Sequence, residues 1–233
     1  MNMSHLTLRS LAVLGASFFA LSTAQALVLD FEGFPAGTII DDEYEGITIS
    51  ATTNSGGSPN VAVVFDTENP TGGDNDLAAP FRASSGSDFV ESFFPGNVLI
   101  LQENDNCGSL LCDVPDDDAN GGTFFIQWDA PRILNSIDFF DIEANEAGAP
   151  ITITLATTNG ILPSFTVPET GGDNTWGRLD FGGIADVIGL TVNLNGSGAI
   201  DNINFAIPLP GVAWMFFPGL AVLAARVRRR KAV

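Results

Sequence analysis

Apolar and β-branched residues recur along this chain in short runs, each closed by glycine, proline, asparagine or aspartate. The runs occupy residues 27–31, 46–51, 61–65, 98–102, 123–128, 133–142, 151–156, 179–181, 187–194 and 199–205. Ile151-Thr152-Ile153-Thr154-Leu155 and residues 187–194 show strand periodicity most clearly. A period of two marks a strand with one buried face, because successive side chains leave the backbone on opposite sides. Helix-like stretches rich in Ala, Leu or Lys are absent between the runs, and turn residues punctuate them. Strands without intervening helices predict an all-β domain, an antiparallel β-sandwich of jelly-roll type. The longest irregular stretch, residues 66–96, is rich in Gly, Asp, Asn, Pro and Ser. Loops of that length in compact domains are usually functional or ordered by a metal. The tetrapeptide Gly-Gly-Asp-Asn occurs at 72–75 and again at 171–174, which fits a shared turn device better than a repeat.

The two ends of the chain break this pattern. Residues 1–26 carry Arg9, an apolar run over 11–21 and Ala24-Gln25-Ala26. These are the charged start, short apolar centre and A-x-A cleavage site of an export signal. Cleavage after Ala26 leaves a mature chain beginning at Leu27. At the other end, Ile207-Pro208-Leu209-Pro210 precedes an apolar stretch over 211–225 and the basic cluster Arg226-Val227-Arg228-Arg229-Arg230-Lys231. The 17 residues 211–227 reach the lower limit for crossing a hydrocarbon core of roughly 30 Å. Pro218 and Gly219 within them predict a kinked helix, and the positive charges beyond it predict a cytoplasmic end.

This order of motif, short helix and basic tail resembles the PEP-CTERM class of bacterial sorting signals, in its Val-Pro-Leu-Pro-Ala variant. Ile207 stands for the usual Val and Gly211 for the usual Ala. The resemblance covers only the last 27 residues. It implies processing by an exosortase, a membrane-embedded Cys-dependent transpeptidase or protease, with Pro208, Leu209 and Pro210 as the sorting motif. It further implies an exported protein of a Gram-negative bacterium, held transiently in the inner membrane and then placed at the cell surface or in the extracellular matrix. A permanent single-span anchor is the alternative. The expected organisation is a signal peptide (1–26), a β-sandwich domain (27–206) and a sorting signal (207–233).

Charge changes the picture of the middle. All 28 acidic residues lie within 27–206, where Arg82, Arg132 and Arg178 are the three positive charges. The domain therefore carries −25, with no lysine and no histidine. Nucleic acid and anionic membrane surfaces are poor partners for it, since phosphate contacts need Lys and Arg. Self-repulsion of this size opposes compaction unless counter-ions neutralise it. Outside the cell calcium is the natural counter-ion, because it prefers carboxylate and carbonyl oxygens. A solvated acidic surface is the competing reading. Cys107 and Cys112 are the only cysteines, and so close a pair in an exported chain predicts a disulfide. Zinc would need two further ligands, and the domain has no His and no other Cys.

Two acidic groups suggest calcium sites. Asp116-Asp117-Asp118-Ala119-Asn120-Gly121 matches D-x-D-x-N-G, the first half of an EF-hand-type loop. In such a loop alternate side chains converge on the cation and the glycine permits a sharp turn, which names Asp116, Asp118 and Asn120 as ligands. The closing acidic ligand is missing, since Gln127 holds its place, so a true EF-hand is not expected; a polar Asx-rich turn is the alternative. The second group lies at the domain ends. Leu29-Asp30-Phe31-Glu32-Gly33 and Gly198-Ala199-Ile200-Asp201-Asn202-Ile203-Asn204-Phe205 resemble the terminal strands of lectin-like and carbohydrate-binding jelly rolls. That resemblance implies that the first and last strands pair and that Asp30, Glu32 and Asp201 share a calcium ion. Solvated edge carboxylates are the alternative. Asp66, Glu68, Asp74 and Asp76 in the long loop, and Asp138, Asp141 and Glu143 near a strand end, are spaced too loosely to assign.

Catalysis finds little support. Without His or Lys, and with its cysteines paired, the domain cannot build Ser-His-Asp, Cys-His or Ser-Lys arrangements. A carboxylate-pair glycosidase needs two acids with distinct roles, and among so many none stands out. Trp176, with Asn174 beside it in the Gly-rich segment 171–178, is a candidate glycan contact; the same Trp also fits a partly buried anchor. The expected function is that of a non-catalytic, exosortase-processed surface or matrix protein, stabilised by calcium and associated with extracellular polysaccharide of a biofilm. The alternative is a carbohydrate-binding module or a carboxylate-dependent carbohydrate-active enzyme.

Overall fold

Eleven strands form one continuous sheet, described here from a computed structural model that covers residues 25–56, 59–83, 92–143, 151–167 and 169–208. In chain order they are β1 (Gln25–Leu29), β2 (Ile47–Thr53), β3 (Ala62–Asp66), β4 (Arg82–Ala83), β5 (Asn97–Leu101) and β6 (Gly122–Phe140). β7 (Thr152–Thr157), β8 (Gly160–Ile161), β9 (Phe165–Thr166), β10 (Thr175–Leu194) and β11 (Ala199–Ile207) follow. All pairings are antiparallel except that of β10 with the two-residue β4. The expected all-β sandwich is what the chain forms.

Two long strands make the sheet fold over on itself. The first half of β6 pairs with β2 from Gly122 to Trp128, and its second half pairs with β11 from Ile133 to Phe140. Pro131 lies between the two halves, where the ladder is already interrupted and its missing N–H costs least. Opposite it, the register of β10 against β6 shifts three times between Asp180 and Gly189. Gly182 and Gly183, at φ of 68° and 81°, supply the backbone freedom for that bend. The sequence pattern reads each long strand as two, because its apolar runs end at these breaks.

One layer then contains β3, β5, β1, β11 and the adjoining halves of β6 and β10; the other contains β2, the remaining halves and β7. Between them lie Leu29, Ile49, Leu99, Phe124, Ile126, Phe139, Ile153, Leu190 and Ile203. β2 buries alternate residues only, Ile47, Ile49 and Ala51. β3 and β5 are buried on both faces, because a second apolar cluster covers the outside. There Val63, Phe65, Val98 and Ile100 meet Leu77, Phe81, Phe140 and Trp176.

The cover is the long loop. Its 3-10 turn, Asn75–Leu77, buries Leu77. The Ala79 N–H donates to Thr67 O at 2.8 Å, and Phe81 and Phe93 exchange backbone hydrogen bonds at 2.8 and 2.9 Å. The terminal strands pair as expected, from Gln25↔Ile207 to Leu29↔Ile203. β1 begins two residues before the expected cleavage point. Cys107 and Cys112 are bridged, with S–S at 2.02 Å. The rest of the expected signal peptide, residues 1–24, and the tail from 209 onward lie outside the described residues, as do Leu209 and Pro210 of the sorting motif. Among the described residues no helix is long and apolar enough to cross a membrane.

Candidate metal centre

Residues 116–118 run extended beside 101–103. The Glu103 N–H donates to Asp116 O and the Asp118 N–H to Leu101 O, each at 2.8 Å, and Asp117 bridges to Gln102. Extended backbone sends successive side chains to opposite sides, so Asp117 parts from its two neighbours. Its buried carboxylate accepts from Ser197 Oγ at 2.5 Å and from the Gly198 N–H at 3.0 Å. The Asp117 N–H in turn donates to Asp74 Oδ2 at 2.9 Å. Carboxylate oxygens of Asp74, Asp76 and Asp117 lie within 4.8 Å of one another. Asp141, just past the end of β6, lies beyond Ser197 from Asp117. It is 3% exposed, its Oδ2 sits 3.4 Å from Ser197 Oγ, and its Oδ1 has no hydrogen-bond partner.

Three separate segments thus bring acid toward one place, the long loop, the 116–118 strip and the end of β6, and the turn before β11 adds the Ser197 and Gly198 donors. Burial, then the charge on Asp117, pushes the Asp74 carboxyl up to about 8. Burial, then Asp76 and Asp117, pushes Asp141 up to about 7. Burial raises Asp117 as well, against the pull of its bonds from Ser197 and Gly198. Burial and neighbouring carboxylates are the main causes that raise all three, and no arginine is among the leading influences. The donor set is oxygen only, which suits a hard cation and not zinc. Calcium binds oxygens at 2.3–2.6 Å, so donors facing each other across one ion lie up to about 5 Å apart, the spread found here.

Of the residues that the sequence motif names, Asp118 and Asn120 turn toward Ser55, while Asp116 lies against Gly72 of the long loop and adds to the negative charge on Asp74. Asp116 Oδ2 accepts from Asn104 Nδ2 at 2.6 Å. Asp118 Oδ1 accepts from Ser55 Oγ at 2.6 Å and from the Asn120 N–H at 2.8 Å, while Asn120 Nδ2 donates to Ser55 Oγ at 2.8 Å. Asp118 and Asn120 close a turn with Ser55, and Asp116 ties to a different loop. The strip at 116–118 runs extended, and Asp116 bonds to a different partner from Asp118 and Asn120. A further acidic group, Asp41, Asp42 and Glu43, is exposed; its carboxylates accept N–H bonds of their own turn.

The terminal-strand acids do come near one another. Asp201 stands opposite Asp138 in the β11–β6 register, and both are buried. Asp138 takes a two-pronged ion pair from Arg178, Nε to Oδ1 at 2.5 Å and Nη2 to Oδ2 at 2.7 Å. Asp201 Oδ2 accepts from Asn202 Nδ2 at 2.8 Å, and its Oδ1 has no hydrogen-bond partner. Burial, then Asp138, Glu32 and Asp30, holds the Asp201 carboxyl well above the usual carboxylate range, against a bond from the Asn202 backbone. Glu32 Oε1 accepts from the Asn97 N–H at 2.9 Å, and Asp30 Oδ1 from the Glu32 N–H at 3.4 Å. Asp138 and Arg178 are members of this group that the sequence did not assign. Their strand register against Asp201 is what brings them in.

Trp176 and Asn174 serve the fold. Trp176 is 4% exposed, its ring 4.6 Å from that of Phe93, so it is an anchor and offers no open platform. Asn174 Nδ2 donates to Asn75 O at 2.9 Å and Ala78 O at 2.7 Å, pinning the long loop. Sequence reasoning passed over Asp117 and Ser197 and left Asp141, like Asp74 and Asp76, in groups spaced too loosely to assign. Strand alternation through Asp116-Asp117-Asp118 was the one signal that could have separated the middle aspartate from its neighbours.

No protein-family model and no curated protein matches the chain. Among solved structures it is similar to a fucose-binding module of Streptococcus pneumoniae, at 12% identity and a TM-score of 0.27, over 37% of this chain and 67% of that one. It is also similar to the family 32 CBM of C. perfringens NanJ in complex with galactose, at 15% identity and a TM-score of 0.31, over 72% and 98%. Both are carbohydrate-binding modules by their own descriptions. At these scores no residue or ligand is carried over from them.

Proposed function

We propose that the chain is a non-catalytic, exported β-sandwich protein of the cell surface or extracellular matrix, whose fold is completed by calcium. The observation that carries this reading is the burial of acid without matching base. Asp117, Asp141 and Asp201 are each no more than 5% exposed, in a domain with three arginines. A buried charge costs several kcal/mol unless it is paired, and an external divalent cation meets that need with oxygen ligands. The export signal and the PEP-CTERM-like tail support delivery to the surface through an exosortase, with association to polysaccharide there. Thermal unfolding of the metal-stripped protein is the test. Millimolar calcium should raise the midpoint well beyond sodium at matched ionic strength, since screening alone does not distinguish coordination geometry. Equal curves in the two salts would leave only a solvated acidic surface.

A second reading, carbohydrate binding, has one structural feature in its favour. Among the described residues Arg82, Ala83, Thr170, Gly171 and Thr175 line an open cleft of ≈ 260 Å³. That is a little under the roughly 300–1,000 Å³ of drug-sized ligand pockets and suits a single sugar unit. A glycan array read with and without calcium tests it. Specific binding that is lost in an Arg82→Ala variant would support this reading, and no binding to any glycan would remove it.

A further inference from the structure

We propose that Asp74, Asp76, Asp117 and Asp141 bind one calcium ion, which fastens the segment 67–83 over the second apolar core. The proposal rests on the calcium reading above and assigns it a site that neither sequence motif names. Three carboxylates within 4.8 Å of one another form the near side of the centre. Acid clusters are common without an ion, and the independent observation here is Asp141. Its side chain is 97% removed from solvent, faces Asp117 through Ser197, and leaves Oδ1 without a hydrogen-bond partner. A buried acceptor of that kind costs about 1–3 kcal/mol, and more when charged, unless something positive meets it. An oxygen-only donor set on a flexible loop suits calcium better than magnesium, which demands a tight octahedron.

The placement of the ligands gives the ion its structural role. Asp74 and Asp76 flank Asn75 in the 3-10 turn, and the next residue, Leu77, is fully buried in the second core. Asp117 and Asp141 belong to the body of the sandwich. An ion shared by the two pairs therefore holds the loop down where Leu77 and Phe81 plug the outer face of β3 and β5. Ligand loss would release this segment first and leave the two-layer core in place, as expected of a locally cooperative unit.

Calorimetric titration of the metal-stripped full chain with calcium chloride tests the proposal, read beside amide exchange at Ala79 and Phe81. Wild type should bind calcium, and both amides should exchange more slowly in its presence. Losing an outer-shell partner of a metal site costs roughly 10–100-fold in affinity, so Asp117→Asn or Asp141→Asn should weaken binding at least about tenfold. Asp76→Asn is the milder variant, since that carboxylate accepts only its neighbour's N–H among the hydrogen bonds described, and it should fold and still lose affinity. Asp118→Asn and Asp201→Asn should bind as wild type does. Calcium binding that survives Asp76→Asn and Asp117→Asn but is lost in Asp201→Asn would overturn this site and leave the calcium reading standing. No calcium binding by wild type would overturn both.

Discussion

Two groups of buried carboxylates lie in this sandwich, and they are neutralised differently. At the β6–β11 pairing, Asp138 has Arg178 across its two oxygens. At the foot of the long loop Asp74, Asp76 and Asp117 cluster, with Asp141 linked to them through Ser197, and no arginine is among the leading influences on Asp74, Asp117 or Asp141. The first group carries its own counter-ion within the chain. Each group leaves one buried carboxylate oxygen, on Asp201 or on Asp141, without a hydrogen-bond partner, but the second has three carboxylates within 4.8 Å of one another and must take its positive charge from outside. The difference teaches where metal dependence should reside in a domain so acidic that sequence alone spreads suspicion over every aspartate.

The largest effect should come from the self-contained group. Arg178→Met leaves Asp138 buried and unpaired, which should cost about 3 kcal/mol, and the loss should be the same in calcium and in chelator. A calcium-dependent loss measured by denaturant unfolding would break the comparison. Next comes the ion itself. At one hundred times its dissociation constant calcium should add about 2.7 kcal/mol, an increment that Asp117→Asn should remove and Arg178→Met should preserve.

A smaller effect is expected of pH. Asp74 at about 8 and Asp141 at about 7 both lie above the roughly 4 of an unfolded aspartate. The folded metal-free protein therefore holds protons that the unfolded chain has released. Its stability should be greatest at acid pH and fall as pH rises from about 4 toward 8. Calcium should flatten that slope, because it takes the oxygens the protons held; parallel slopes with and without calcium would contradict this. The smallest effect is the control. Asp118→Asn weakens the bonds that its carboxylate accepts from Ser55 and Asn120, should cost about 1 kcal/mol and should leave the calcium increment unchanged.

Much of the fold is legible in the sequence because period-two burial is a local property. Ile47, Ile49 and Ala51 of β2, and Ile153 and Leu155 of β7, fall on the core side as alternation requires. The continuity of β6 and β10 was not legible, because Pro131 and Gly182-Gly183 look like strand ends and act as bends. The strands β4, β8 and β9 are two residues each, too short to show a period. The candidate site fails to read for a different reason. Its acids come from positions 74, 76, 117 and 141, joined only by tertiary packing, and spacing along the chain carries no trace of that. The D-x-D-x-N-G match covers the strip that holds Asp117, and the motif's spacing names Asp116 and Asp118 while strand pairing turns Asp117 toward Ser197 and Asp74. The pairing of β1 with β11, by contrast, follows the resemblance to lectin-like terminal strands.

The central claim is that an ion belongs among Asp74, Asp76, Asp117 and Asp141, and the most direct measurement is a crystal structure of the protein grown with calcium chloride. The account expects density for one cation with oxygens of these four residues at 2.3–2.6 Å, and the segment 67–83 docked over Leu77 and Phe81. A crystal with calcium at another site, and only water or direct carboxyl-to-carboxylate contact among these four aspartates, would contradict it.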